Sequence, residues 1–271
     1  MASYLSLLFL YSHFYIILSS FSHSKPLPVS LSNYNLDSLR ESLERQEDFI
    51  VFSLIERARY PFNSPAYDIP HLAEDNSSLV EIYVRETEAI ESKNPEELPF
   101  FPDEMQVPVV PPHQFPQILH TPAASVNASK GIWNMYFNHL LPLFTTKGDD
   151  GNYQQTVASD FICLQALSKR VHYGRFVAEV KFRDAPQDYI PFIYSKDSEV
   201  LMNLLTSTSV EETIIKRVSK KAMVFGQNVT LEKGNDGKYK VEPSVVSELY
   251  KDWVIPITKQ VEVDYLLRRL D

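Results

Sequence analysis

The sequence has few of the residues that build disulfide, metal or nucleotide sites. Cys163 is the one cysteine among 271 residues, which excludes a disulfide framework within the chain and a zinc site built on several cysteines. The seven histidines have neither HxxxH nor HExxH spacing, and the seven glycines form neither a GxGxxG nor a P-loop motif. We therefore predict no metal ion and no cofactor, and we expect Cys163 and His172 to be structural residues.

The chain also lacks an excess of positive charge. Its formal net charge is −9 at pH 7, and lysine and arginine are scattered along it. Nucleic acids bind to basic faces, so this composition is not typical of a nucleic-acid-binding protein. Hydrophobic residues make up 44% of the chain, which is enough for a full core. A cationic site in such a protein would be local and suited to a small anion.

Residues 1–24 differ from the rest of the chain because they contain neither lysine nor arginine, and residues 4–21 are almost entirely apolar. Such a run resembles the core of a secretory signal peptide, although the basic N-terminal region is missing and His13 interrupts the run. A plastid transit peptide is not expected, because these segments are rich in arginine. Sequons for N-glycosylation begin at Asn76, Asn127 and Asn228. A cleaved leader and an uncleaved one both stay open.

Apolar residues recur at helical spacing through most of residues 36–271, so we predict an all-α, single-domain fold. A connection rich in proline follows, with eight of the 18 prolines between residues 95 and 122. Because it contains aromatic residues, it is predicted to be ordered and to pack over the helices. Residues 183–191 are predicted to be a loop, and GKYKVEP is a weak strand candidate. The predicted helices are approximately Leu36–Tyr60, Ser78–Lys93, Lys130–Phe144 interrupted at Pro142, Ser159–Phe182, Asp197–Leu205, Thr208–Gly226 and Ser244–Leu270 kinked at Pro256.

Three helix starts carry capping residues. Asn35 precedes the first helix, and a side-chain oxygen at this position accepts from a free backbone N–H of the first turn. The pairs Ser78–Glu81 and Ser209–Glu212 have the spacing of a capping box. We expect each to fix the start of its helix.

Arg170 and Lys181 lie eleven residues apart in the predicted helix 159–182. This spacing is close to three turns, so the two cations differ by only about 20° around the helix axis. Gly174 lies between them on the same face and adds no side chain. Two interpretations stay open on spacing alone: a clamp for a compact, multiply charged anion, or cations that reach solvent or pair with nearby carboxylates.

Further polar candidates lie beside apolar helix faces. Arg40 flanks the apolar stripe of the first helix, where neighbouring glutamates also suit a plain surface ion pair. Glu211 lies in a first helical turn, where a carboxylate is also favoured by the helix dipole alone. In the last helix Ile255, Thr258 and Glu262 share a face, with the last two at i, i+4 spacing.

Four segments together resemble the eukaryotic, plant-type chorismate mutases. They are LRESLERQEDFIVFSLIERARYP, PFFPD, CLQALSKRVHYGRFVAEVKF and VIPITKQVEVDYLLRRLD. The similarity covers residues 36–271, leaving residues 1–24 as a leader before a domain at 25–271. It implies an all-helical homodimer that converts chorismate to prephenate, on the route to phenylalanine and tyrosine, without a cofactor or metal. The cytoplasm is the expected location, with the endoplasmic reticulum or secretion as the alternative.

The resemblance also implies roles for individual residues. Arg40 and Arg170 would hold the two substrate carboxylates, and Lys181 would donate to the ether oxygen. Glu211 would accept from the substrate hydroxyl, and Thr258 would support the bound substrate. Glu262 would lie opposite Lys181, and we expect its pKa to be raised in the complex. Two weaker substrate-binding candidates are Ser207, where fungal members carry an amide side chain, and Ile255.

The family's effector site does not match this sequence at two places. Regulated fungal members bind tyrosine or tryptophan there, with paired arginines before PFFP and a glycine–serine pair before the long helix. These positions are Ile90 and Glu91, and Gln154 and Gln155, in this chain. We therefore predict weak or absent feedback by Trp, Tyr or Phe, since an effector carboxylate would lose its cations.

Two further functions stay open. A helical protein that has kept the fold but not the activity would bind and modulate an active paralogue. The presence of the complete set of candidate residues argues against it. A secreted mutase would carry out the same chemistry in another compartment, and cleavage of residues 1–24 would distinguish it.

Overall fold

The computed structural model describes residues 35–68, 77–90, 98–104, 117–227 and 238–271. These residues belong to one compact unit, Asn35–Asp271. The leader at 1–24, the sequon asparagines Asn76 and Asn228, and Glu91 lie outside the described residues. None of the helices described is both long and apolar enough to cross a membrane.

Every regular element of the described residues is a helix, which confirms the all-α prediction. The described part of the chain contains eleven α-helices: α1 (Leu36–Arg57), α2 (Leu79–Ile90), α3 (Ser129–Met135), α4 (Leu141–Phe144), α5 (Tyr153–His172), α6 (Gly174–Asp184), α7 (Pro186–Tyr194), α8 (Ser198–Leu205), α9 (Thr208–Gly226), α10 (Pro243–Leu249) and α11 (Ile255–Leu267). Short 3₁₀ turns occur at Ser64–Ala66, Pro102–Glu104 and Ala123–Ser125. In place of the strand considered at GKYKVEP, whose glycine is not described, there is an isolated antiparallel bridge between Gln227 and Tyr239.

Two of the three predicted caps are present. The Asn35 side chain accepts from Ser38 N at 2.9 Å, and the Glu81 carboxylate accepts from Ser78 N at 2.7 Å. The predicted box at Ser209 and Glu212 is wrong. The N-cap residue of α9 is Ser207, one position before the helix, and its side chain makes no capping hydrogen bond.

The predicted loop at 183–191 is also wrong, because α7 occupies most of it. Pro186 is tolerated at the start of α7, since the first helical N–H has no partner within a helix in any case. The predicted helix 159–182 begins earlier, at Tyr153, and a single turn residue, Tyr173, divides it into α5 and α6.

Both prolines predicted to disturb helices are preceded by a π-helical segment. Tyr136–Leu140 precedes α4 with its Pro142, and Tyr250–Val254 precedes α11 with its Pro256. A proline ring clashes with the carbonyl one turn before it, and a locally wider turn removes that clash. Each α-helix is therefore interrupted in the turn before the proline and not at the proline itself.

The core lies between the long helices. Buried side chains of α1 and α5, including Ile50, Leu54 and Leu164, pack in one cluster with residues of α10 and α11. A buried ion pair crosses this region, with Arg57 Nε 2.6 Å from Asp160 Oδ1. Tyr67 and Tyr136 also donate to Asp160, so neither charge is left without a partner. Cys163 is buried in the core as predicted, where burial raises the pKa of its thiol to about 12.

The described parts of the proline-rich connection pack on the helices, as predicted. Phe100 and Phe101 contact Trp133, with ring centroids 5.8 and 5.4 Å apart. Glu88 of α2 accepts from Phe100 N at 2.9 Å and from Phe101 N at 3.3 Å. Because Glu88 is buried, with 3% of its surface exposed, burial raises its pKa to about 7.

Candidate active site

Helix α11 brings two of its polar side chains against the two cations of α5 and α6. Lys181 Nζ lies 3.1 Å from Glu262 Oε2, and Arg170 Nη1 donates to Thr258 Oγ1 at 3.4 Å. Thr258 and Glu262 lie one turn apart on the same side of α11, so a single face of that helix meets both cations. The structure therefore groups four of the six predicted catalytic residues.

Arg170 is a buried cation, with 3% of its surface exposed. Its guanidinium lies 5.9 Å from the centre of the Tyr250 ring, where the ring face attracts a positive charge. Within the described residues, neither Arg170 Nε nor the Tyr250 hydroxyl has a hydrogen-bond partner. Buried donors without partners are costly and are expected where a ligand supplies the missing acceptor.

Gly174 allows α6 and α11 to approach closely. A Cβ atom at this position would lie 3.0 Å from both the carbonyl oxygen and Cγ2 of Thr258, and 3.3 Å from Glu262 Cγ. The space left by the missing side chain of Gly174 is therefore filled by α11 and is not open to a ligand. The two cations face α11 instead of turning toward one another over the glycine.

Glu211 joins the site through a residue that the sequence did not single out. Its Oε1 lies 2.9 Å from Lys259 Nζ, and Lys259 directly follows Thr258 on α11. Lys259 Nζ also lies 3.4 Å from Thr206 Oγ1, at the corner between α8 and α9. A matching contact comes from Lys181 Nζ, which donates to Leu205 O at 3.4 Å at the same corner.

The side chains of three predicted residues make no hydrogen bond or ion pair to this cluster within the described residues. Arg40 pairs with Asp37 at 2.9 Å, and its side chain is 64% exposed, which corresponds to the surface ion pair considered from the sequence. Ser207 is exposed, with its hydroxyl 3.5 Å from that of Ser209. Ile255 is a buried residue of the hydrophobic core.

The positions predicted to lack effector-binding groups are partly described. Gln154 and Gln155 are exposed in the first turn of α5, not in the turn before it. Ile90 is the last residue of α2, and Glu91 lies outside the described residues.

Burial governs the protonation of Glu262. Only 8% of its side chain is exposed, and this desolvation raises the pKa of the carboxyl above its usual range. Lys181, Arg170 and Lys259 oppose the shift in that order, because their positive charges favour the carboxylate. The raised pKa lets this carboxyl carry a proton and act as a hydrogen-bond donor.

Tyr250 and Lys259 were both missed by the sequence analysis. In a regular α-helix, Tyr250 and Thr258 would lie on different faces. The π-helical segment at Tyr250–Val254 changes this phase, so helical periodicity alone does not place Tyr250 beside Arg170. Lys259 had a weak signal, as a cation adjacent to a candidate residue.

No group of histidine, cysteine, aspartate or glutamate side chains in the described residues is arranged to hold a metal ion. The arrangement suits binding of a small anion and donation of hydrogen bonds to it.

Comparison with known proteins identifies the family. The family model described as chorismate mutase type II matches residues 152–263. Chorismate mutase 2 of Arabidopsis thaliana is 56% identical over 88% of this chain and 94% of its own length. The cytosolic chorismate mutase 2 of Zea mays is 53% identical over 88% of this chain and 96% of its own length.

A solved structure agrees with the sequence comparison. The crystal structure of AtCM1 with phenylalanine bound in its allosteric site superposes with a TM-score of 0.80 at 46% identity. The match covers 92% of this chain and 99% of that one. With this fold and this identity over most of its length, the chain belongs to the chorismate mutase family.

Proposed function

We propose that the cluster formed by Arg170, Lys181, Thr258 and Glu262 catalyses the rearrangement of chorismate to prephenate, the reaction of this family. The observation that carries the proposal is the buried Arg170 guanidinium, whose Nε has no partner in the described residues, beside the Lys181–Glu262 pair. A substrate carboxylate would provide the missing acceptor and offset the cost of burying the cation.

The reaction is a Claisen rearrangement within one molecule. The C–O bond of the ether breaks while a C–C bond forms, so no nucleophile, water or redox partner enters the balance. Chorismate carries two carboxylates and reacts from a compact diaxial conformer. Binding both carboxylates to fixed cations selects that conformer and removes conformational freedom before the barrier is reached.

The Lys181–Glu262 pair is proposed to act at the ether oxygen. Negative charge accumulates on this oxygen as the C–O bond breaks, so donors aimed at it bind the transition state more tightly than the substrate. Lys181 donates as an ammonium group. Glu262 donates in its protonated form, which its buried position favours.

The remaining residues are proposed to hold the rest of the substrate. Glu211 accepts from the hydroxyl group, and Thr258 supports the bound substrate beside Arg170. Arg40 binds the second carboxylate after its exposed side chain leaves Asp37. Ser207 and Ile255 make weaker contacts.

Regulation and assembly are proposed from the family resemblance. The protein is proposed to be a homodimer and to respond weakly or not at all to Trp, Tyr and Phe. The exposed glutamines Gln154 and Gln155 support this, because they offer no cation to an effector carboxylate. Size-exclusion chromatography with light scattering tests the dimer. A rate change of more than about twofold on adding an effector at millimolar concentration would contradict the second proposal.

We further propose residues 25–271 as the catalytic domain and the cytoplasm as its location. The cytosolic relative from Zea mays supports the location. Entry into the secretory pathway is the alternative, and it would make Asn127 and the other two sequons available for glycosylation. A fluorescent fusion of the full chain, with glycosidase treatment of the expressed protein, separates the two outcomes.

The catalytic proposal is tested by following chorismate consumption by absorbance with the purified full chain. Arg170→Ala is expected to lower kcat/KM by at least about 100-fold, the size expected for loss of a preorganised charged donor. Arg170→Lys keeps the charge but not the fork of donors, and should recover only part of the rate. The control is Arg45→Ala, which removes an exposed ion pair with Glu41. A folded wild-type protein without activity would point to the non-catalytic partner instead.

A further inference from the structure

Two lysines reach the same corner of the fold from different helices, and each also pairs with a different carboxylate. Lys181 of α6 pairs with Glu262 and donates to Leu205 O. Lys259 of α11 pairs with Glu211 and lies 3.4 Å from Thr206 Oγ1. The two ammonium groups therefore contact consecutive residues where α8 ends and α9 is about to begin.

Glu211 depends on this corner for its position. It lies in the first turn of α9, and the N-cap residue Ser207 makes no side-chain capping hydrogen bond. The start of α9 is thus not fixed by a cap. Lys259 bridges the corner and the carboxylate, because one ammonium group contacts both Thr206 Oγ1 and Glu211 Oε1.

The pair also leaves part of Glu211 available. Lys259 Nζ approaches one carboxylate oxygen of Glu211, Oε1, at 2.9 Å. The two side chains are 21% and 25% exposed, so solvent partly screens their attraction and access to the carboxylate is retained. A carboxylate held by one oxygen can accept a substrate hydroxyl with the other.

We propose that Lys259 is a positioning residue, which orients the Glu211 carboxylate toward the substrate hydroxyl and keeps it apart from the Lys181–Glu262 pair. The inference rests on the role proposed above for Glu211. Lys181 contacts Leu205 and Lys259 contacts Thr206. Each lysine is therefore held beside a different carboxylate. Without Lys259, the start of α9 and the Glu211 side chain lose their shared anchor.

The test separates positioning from loss of structure. Lys259→Met is expected to raise KM for chorismate about tenfold while kcat changes less than about threefold, because a hydroxyl contact is present in the ground state and in the transition state. A merely structural defect would lower the active fraction, and hence kcat, without raising KM. Lys259→Arg keeps the cation and is expected to restore KM to within about twofold of wild type.

The Glu211→Gln background shows whether Lys259 acts through Glu211. Adding Lys259→Met to Glu211→Gln is expected to leave KM unchanged, since the acceptor that Lys259 positions is already lost. The matched control is Lys216→Met on α9. The exposed Lys216 side chain lies 3.9 Å from Glu212, and its replacement is expected to leave KM unchanged.

Three results would overturn the inference: an unchanged KM in Lys259→Met, an equal rise of KM in both backgrounds, or an unchanged KM in Glu211→Gln. The last result also removes the proposed role of Glu211. Turnover by the unmodified chain tests the mutase function separately, so failure of one proposal is distinguishable from failure of the other.

Discussion

Lys181 and Glu262 face each other across the site, with 3.1 Å between Nζ and Oε2. Lysine is the more accessible partner, since 25% of its side chain is exposed against 8% for the glutamate. Burial therefore acts mainly on Glu262 and raises its pKa, while the ammonium charge opposes that shift. The substrate's own negative charges would favour the protonated form further.

Glu262→Gln should flatten the pH dependence of activity. A protonated Glu262 donates to the ether oxygen, and raising the pH through its pKa removes that proton. Activity of the wild-type protein is therefore expected to fall as the pH rises. An amide donates at every pH, so the variant should keep its rate where the wild type loses it.

The measurement is kcat/KM between about pH 5 and pH 9, where model carboxyl groups are normally ionised. Circular dichroism at each pH shows whether the fold is retained. If the variant and the wild type have the same profile, protonation of Glu262 is not the cause of the fall.

Gly174→Ala should impair both stability and activity. The added Cβ would meet the backbone oxygen of Thr258 at 3.0 Å, which a flexible side chain cannot relieve. Overpacking of this kind costs about 1–3 kcal/mol and would displace Thr258 and Glu262 from the two cations. We expect a lower melting temperature and a lower kcat.

Gly131→Ala is the matched control for that change. Gly131 is also helical, but a Cβ atom there would have nothing within 4 Å. Alanine is favoured over glycine in a helix by about 0.5–1 kcal/mol, so this variant should be as stable as the wild type or more stable. Equal effects of the two substitutions would show that close approach at Gly174 is unimportant.

Arg40→Ala tests whether the exposed arginine becomes a substrate ligand. Without substrate its side chain is 64% exposed and paired with Asp37. A cation that binds a carboxylate should, on removal, raise KM and lower kcat/KM by at least about tenfold, equivalent to ~1.4 kcal/mol. Arg45→Ala changes an equally exposed arginine of the same helix, 63% exposed, and should have no effect. A silent Arg40→Ala would leave Arg40 as a surface residue.

Glu88→Gln should change how stability depends on pH. Its pKa is raised to about 7 by burial, so the folded protein holds the proton more tightly than the unfolded chain. Stability is then highest below the unfolded pKa, near 4.5, and is lost as the pH rises toward 7.

The expected loss from this one carboxyl between pH 5 and pH 7 is about 2 kcal/mol, since one pKa unit corresponds to about 1.4 kcal/mol and each end of this range lies within the transition. Urea unfolding of wild type and variant at pH 5 and pH 7 measures it. Glu88→Gln should show a smaller difference between the two pH values. A difference as large as that of the wild type would assign the pH dependence to other groups.

The fold class was predictable because it depends on local periodicity, whereas the meeting of two helix faces in the central cluster was expected only from the family resemblance. Arg170 and Lys181 share a face through their spacing, and Thr258 and Glu262 do so by the same rule. The start of the first helix followed from its cap at Asn35, whereas the helix predicted to run to Tyr60 ends at Arg57.

Features that depend on contacts between distant segments were not predictable. Lys259 belongs to the site only because α11 places it beside Glu211, which lies 48 positions earlier in the sequence. The helix α7 was missed because its two prolines indicate a loop, although Pro186 occupies the position where a helix tolerates proline. The exposed position of Arg40 depends on a local partner, Asp37, that competes with the site.

The π-helical segment at Tyr250–Val254 determines which side chains of the last helix point inward. One extra residue in a turn rotates everything after it by about 100° relative to an uninterrupted helix. A helical wheel drawn from Tyr250 without that residue would favour Ile257 over Thr258, yet Thr258 is the buried residue and Ile257 the partly buried one. Pro256 is itself exposed. Through the π-helical segment before it, this proline determines that Thr258 and Glu262 face Arg170 and Lys181.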